Sequence, residues 1–171
     1  METLDAIMTR RSVRRFSKEP VDDATVDTLL RAAMQAPSAA NEQPWAFVVI
    51  DDRAALDAIP SFSPYAAWAA GAPLGILVCA DTRSLPFPGF WIQDCSAAIQ
   101  NLLLAAHALG LGAVWTGAYP LDDRVAGFGR HCRLPSGVVP VGFVVLGHPA
   151  ERPAPQERYT PDRVHRNTWG G

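Results

Sequence analysis

The chain has 171 residues, 49% of them apolar and 19% charged, with 15 Lys plus Arg against 17 Asp plus Glu for a formal net charge of −2. That length reads as a single domain, residues 1–171, with ample apolar content for a core. The near balance of charge argues against nucleic acid or an anionic membrane as a partner, and no apolar run approaches the roughly 20 residues that a membrane helix needs.

Cys79, Cys95 and Cys132 are odd in number, widely spaced and without a Cys-x-x-Cys pair, and the four histidines add no ligand spacing. Neither disulfides nor a metal centre is expected. Glu2 and Asp5 open a chain that has no apolar leader, so the expected location is the cytoplasm.

Leu4, Ile7 and Met8 fall at helical spacing and predict a short first helix. Just past it, Arg10-Arg11-Ser12-Val13-Arg14-Arg15 holds four arginines and a hydroxyl in six positions. Such a run is either a solvated patch near a helix C-terminus or an anion cradle, because guanidinium groups match phosphate oxygens bidentately. Asp22 or Asp23 is a suitable cap for a second helix running to about Ala36, with Val26, Leu29, Leu30, Ala33 and Met34 as its buried stripe.

The loop Pro37 to Trp45 follows. Pro37 stops the helix, and Pro44 biases Gln43 towards an extended backbone. Ser38 and Asn41 offer small hydrogen-bonding groups, while Ala39 and Ala40 let something flat approach closely; ordinary turn chemistry is the plainer alternative. Ala46–Asp51 barely alternates and reads as a central strand. Arg53–Ile59 predicts a short helix, Ala66–Ala70 a further helical turn with Trp68 as a packing anchor, and Leu74–Ala80 a second buried strand. Asp81 to Trp91, with Phe87, Phe90 and Trp91, resists a regular assignment and suits either a packed loop or a binding mouth.

Ile92–Leu109 gives the strongest helical signal, with Cys95, Ala98, Ile99, Leu102, Leu103, Ala106 and Leu109 on one broad face. Ala97, Leu104, Ala105 and Ala108 leave little polar surface elsewhere, so the helix needs burial on most sides and a dimer interface is the natural place for it. His107 reads as a structural residue on this helix. Ala113–Trp115 forms a short strand that exits at Thr116-Gly117, Leu121–Arg130 a further helix, and Val138–Leu146 the last strand. Pro153 and Pro155 then give an extended arm through Arg158 to Trp169.

Arg-Arg-Ser-x-Arg-x-Phe after the first helix, then Pro-Ser-x-x-Asn-x-Gln-Pro-Trp, the Ala-Leu-Gly-Leu-Gly helix end, Val-Trp-Thr-Gly and Glu-Arg-Tyr occur here in that order. The ordered set resembles the nitroreductase family of flavoproteins over roughly Leu4 to Trp169. The resemblance implies an α+β fold, a mixed central β-sheet flanked by helices, in an intertwined homodimer with shared active sites. It implies FMN as bound cofactor and NAD(P)H as transient electron donor. Arg10 and Ser12 would hold the phosphate and ribityl chain, Arg11 counts with them as a cofactor-binding residue, and Arg158 would return to the phosphate. Arg14 would lie under the pyrimidine side of the flavin, where a fixed cation stabilises the negative charge that reduction places at N1–O2. Pro37, Ser38, Ala39 and Asn41 would reach the flavin of the other subunit, and the backbone at Trp115, Thr116 and Gly117 would reach N5. The arm from about residue 150 to 171 would pack on the partner.

Two departures matter. Many relatives carry a hydroxyl where this chain has Ala39, and an acidic residue where it has Thr116. No side-chain catalyst is expected, since the flavin carries the chemistry. The expected activity is NAD(P)H-dependent, ping-pong reduction of nitroaromatics, quinones or similar conjugated acceptors. A specialised dehalogenase, oxidase or flavin-processing enzyme, and a flavin-binding dimer without turnover, are the alternatives. The chain has no Gly-x-Gly-x-x-Gly after a strand, no phosphate-binding Gly-Lys loop and no nucleophile elbow.

Overall fold

The structure is a computed structural model that describes residues 1–170. Five α-helices and four strands alternate along it: α1 Thr3–Thr9, α2 Asp23–Met34, β1 Trp45–Ile50, α3 Arg53–Ala58, β2 Leu74–Asp81, α4 Trp91–Ala108, β3 Gly112–Gly117, α5 Asp122–His131 and β4 Val138–Gly147. Asp22 caps α2 by accepting the Thr25 N–H at 2.9 Å, and Asp52 caps α3 by accepting that of Ala55 at 2.8 Å. Pro64–Gly71 is a 3₁₀ segment with a kink at Ala66. Phe87 and Phe90, in the stretch that leads to α4, are about half exposed.

The strands lie in the order β1-β2-β4-β3, and each neighbouring pair is antiparallel. The α+β class holds, but the expected mixed pairing does not. β2, α4 and β3 make a crossover between two strands of the same direction, and β4 slots between them, so the parallel pair is split. Among the described residues, parallel pairing survives only as the isolated bridge of Ser12 with Ala113 on the outer side of β3.

β1 is an edge strand, not a central one. Its unbroken apolar run reflects two covered faces. Trp45 and Phe47 pack with α2 and α4 around Leu29, Ala98 and Leu102, while Ala46 and Val48 face the second cluster around Leu56, Ile59, Leu77, Phe128 and Phe143. The sheet is thus a layer between two apolar clusters. α4 crosses one face and carries Cys95, Ala98, Ile99, Leu102, Leu103 and Ala106 inward.

Three apolar features stay open. Leu4, Ile7 and Met8 on α1 are 74%, 48% and 63% exposed. Leu104 and Ala105 of α4 are only partly covered. Beyond Pro149 the described residues run without α-helix or strand, and Tyr159, Val164 and Trp169 are largely exposed.

Candidate functional site

Three groups of side chains form around α4. The first is cationic. α1 ends at Arg10, whose N–H closes the helix on Ala6 O at 3.1 Å, so Arg10 and Arg11 emerge where the chain leaves the helix. Arg10, Arg11 and Arg158 share a cleft of about 490 Å³ with Ile7, Gln100 and Tyr159. Burial lowers the Arg10 pKa, and the neighbouring Arg158 and Arg11 charges lower it further. Arg11 Nε is buried without a hydrogen-bond partner. Three guanidinium groups close enough for their charges to oppose one another, one with an orphaned donor, form a donor set suited to an anion. A phosphate dianion fits that donor set in charge and in geometry.

His107 belongs to this group through Thr9, whose Oγ1 lies 2.8 Å from its Nε2. Burial and the charge on Arg10 both lower its pKa, which keeps the ring neutral and suits a structural residue.

The second group starts at Ser12, which bridges to Ala113, while the Val13 N–H donates to Ala113 O at 3.0 Å. The arginine segment is thereby pinned to the edge of β3. Farther along β3, Trp115 is 39% exposed and covers Gly142, where any side chain would collide with its indole. Thr116 is buried and donates its hydroxyl to Phe143 O at 3.1 Å, so its side chain points away from the site. Gly117 O accepts from Arg124 Nη1 at 3.0 Å. Arg14 stacks over the Trp68 ring with Cζ 4.9 Å from its centre, and its backbone N–H donates to Glu151 Oε1 at 2.7 Å.

The third group is the loop after α2. Ala40, Asn41 and Gln43 have φ of 47°, 57° and 50°, left-handed positions on either side of Glu42 at −66°, in residues that each carry a Cβ. Gln43 is therefore not extended before Pro44 as the sequence suggests. Cross-bracing accounts for the difference. Ser38 Oγ accepts the Gln43 N–H at 3.0 Å, and Gln43 Nε2 donates to Asn41 Oδ1 at 2.8 Å. Asp94, in the first turn of α4 and 5% exposed, accepts the Ala39 N–H at 3.0 Å. Glu42 accepts the Phe87 N–H at 2.6 Å and ties the loop to the aromatic segment. Pro37 itself is exposed.

Within one chain the cationic cleft and the β3 exit are linked through Ser12 and Val13. The loop Pro37–Asn41 does not join them. It sits at the start of α4, whereas the cleft takes Gln100, six residues or about 9 Å farther along the helix. Sequence reasoning passed over Asp94, Glu42, Tyr65 and Arg124. Asp94 had a legible signal, since it lies four residues before Ala98 on an otherwise apolar stripe. The others depend on long-range contacts that no local pattern announces.

A sequence model of the Nitroreductase family matches residues 7–70 and 63–148. A protein provisionally named NADH dehydrogenase/NAD(P)H nitroreductase from Methanothermobacter thermautotrophicus is 49% identical over 169 residues, covering 99% of this chain and 88% of the relative. A crystal structure with the same provisional name, from Parabacteroides distasonis, superposes with a TM-score of 0.92 at 40% identity and covers 98% of each chain. A provisionally named nitroreductase from Desulfovibrio desulfuricans, solved in complex with FMN, superposes with a TM-score of 0.88 at 34% identity, again over 98% of each chain.

Proposed function

The chain belongs to the nitroreductase family, and from that premise we propose that it is an FMN-dependent oxidoreductase that takes electrons from NAD(P)H. Its oxidants are nitroaromatics, quinones or similar conjugated acceptors, used in ping-pong order. The observation that carries the reading is the cleft of Arg10, Arg11 and Arg158, three cations with an orphaned Arg11 Nε; Glu157 also lines it, but its carboxylate accepts the Arg158 and Tyr159 backbone N–H groups and forms no ion pair with the arginines. The FMN complex of the Desulfovibrio desulfuricans relative supports the choice of ligand.

FMN, when bound, supplies hydride acceptance and delivery, and no side chain here needs to act as acid or base. Arg10, Arg11 and Arg158 hold its phosphate, and Ser12 fixes the approach of that segment to β3. Arg14, stacked on Trp68, is a fixed cation available to a ring that gains negative charge. The backbone at Trp115, Thr116 and Gly117 lines the strand exit. The Thr116 side chain is turned into the core, so at this position only the backbone faces the strand exit, and any role of an acidic side chain there is absent.

The working unit is a homodimer, one domain per chain with the arm from about residue 150 lying over the neighbour. The open apolar face of Leu4, Ile7 and Met8, with Tyr159 and Trp169, supports this, as does a loop that sits apart from its own cleft. Pro37, Ser38, Ala39 and Asn41 then complete the partner's site. No helix among the described residues is long and apolar enough to cross a membrane, and we place the enzyme in the cytoplasm.

The test is the absorbance of the purified protein followed anaerobically. Flavin bands that bleach with NADH or NADPH and return with a quinone or nitroaromatic are expected. Bands unchanged by both donors would point instead to a flavoprotein without this turnover.

A further inference from the structure

Arg11 lines two spaces at once. One is the phosphate cleft of about 490 Å³, and the other is a second cavity of about 260 Å³. Three parts of the chain bound the second cavity: residues 9–13, the end of α4 at His107 with the turn to Leu111, and the root of the arm, residues 149–153. Backbone ties fix the arm root against the arginine segment. The Ala150 N–H donates to Arg15 O at 2.8 Å, and the Arg14 N–H donates to Glu151 Oε1 at 2.7 Å. The same arm goes on to place Arg158 in the phosphate cleft.

The lining selects for a negative ligand. Arg11 and Arg152 bring two cations, neither in an ion pair among the described residues, and Arg11 Nε has no hydrogen-bond partner. Glu151 is the only carboxylate on the lining, and one of its oxygens is already taken by the Arg14 N–H. His107 adds polarity without charge. Thr9 has a single hydroxyl hydrogen and gives it to Asp5 O, so in its contact with Thr9 the His107 Nε2 is the donor, and burial beside Arg10 keeps the ring neutral. Val13, Leu111, Pro149 and Pro153 supply apolar walls. Two cations over apolar walls suit a carboxylate that carries a short hydrocarbon body better than inorganic phosphate.

We propose that this cavity binds a small carboxylic acid, with its carboxylate on Arg11 and Arg152 and its hydrocarbon end against Val13 and Leu111, and that the acid loosens FMN by competing for Arg11. One guanidinium fork cannot serve two anions at full strength, and the two anions repel each other across it. The coupling is reciprocal, so FMN weakens the acid by the same factor. The proposal rests on the assignment of Arg11 to the FMN phosphate.

The experiment titrates FMN by flavin fluorescence at constant ionic strength, with isobutyrate or the neutral isobutyramide present. NMR follows the His107 ring, assigned by comparison with His107→Gln. Saturating isobutyrate raises the FMN Kd about fivefold, most of one charge-assisted hydrogen bond, and isobutyramide leaves it unchanged. Isobutyrate also shifts the His107 resonance. Arg152→Gln cuts the effect on FMN to under about twofold, and Arg152→Glu abolishes both responses. FMN that binds more tightly with the acid present would put the acid on the flavin itself and overturn the proposal. So would an equal response to the amide, or a His107 resonance that does not move. A shifted His107 with unchanged FMN affinity overturns the competition for Arg11. If the protein binds no FMN under any condition, the oxidoreductase reading falls instead, and the His107 resonance still decides whether the cavity takes the acid.

Discussion

Replacing Asp94 by alanine tests how the loop after α2 is held. The carboxyl is 5% exposed, its Oδ1 takes the Ala39 N–H at 3.0 Å, and its Oδ2 is buried without a partner. Losing a buried carboxyl-to-backbone bond costs about 1–3 kcal/mol, but removing the orphaned oxygen returns part of that, so a net loss near 1 kcal/mol in stability is expected. The larger effect falls on the cofactor. Ala40, Asn41 and Gln43 sit at φ of 47°, 57° and 50°, each unfavourable by roughly 1 kcal/mol, and a freed loop relaxes out of that shape. Restoring it on binding weakens FMN by about tenfold. Asp94→Asn keeps an oxygen acceptor for the Ala39 N–H and should stay within about threefold of wild type. Flavin fluorescence titration of the apoprotein gives the affinities, and urea unfolding gives the stabilities. Lower stability with unchanged FMN affinity in Asp94→Ala would refute the positioning role.

Arg10→Ala and Arg158→Ala should each cost about 1.5–3 kcal/mol of FMN binding, the range for charged hydrogen bonds, and unchanged affinity in both would remove the phosphate cradle. Gly142→Ala places a methyl on the Trp115 indole and 3.0 Å from Ile99 Cδ1, so it should destabilise the fold by about 1–3 kcal/mol and shift Trp115 fluorescence. An unchanged urea midpoint would contradict that packing. Burial pushes the Cys79 and Cys95 thiols up to about 12, so at neutral pH neither should react with a maleimide until the chain is unfolded. Mass spectrometry of the labelled native protein reads this directly.

Much of the fold was legible because it is written in local pattern. The stripe on α4, the cap at Asp22 and the apolar runs of β2 and β4 each appear within a few neighbouring residues. Strand order was not, since an apolar run reports how many faces are covered and says nothing of the edges. β1 misled for that reason, and the split crossover hid the antiparallel pairing. The arginine run announced an anion by composition alone. What holds the site in shape, Asp94 under Ala39 or Tyr65 under Arg124, joins residues 55 and 59 positions apart, and only the folded chain brings them together.

The central claim is a flavin site built from two copies of the chain, and subunit complementation tests it most directly. One variant loses the cradle through Arg10→Ala with Arg158→Ala, and the other blocks the loop through Ala39→Trp. Each alone should bind no FMN. Unfolded together and refolded as an equal mixture, they should regain about a quarter of wild-type flavin, because half of the random dimers carry one intact composite site. No recovery in a mixture that forms mixed dimers would mean that each chain's loop serves its own cleft, and the shared-site account would be wrong.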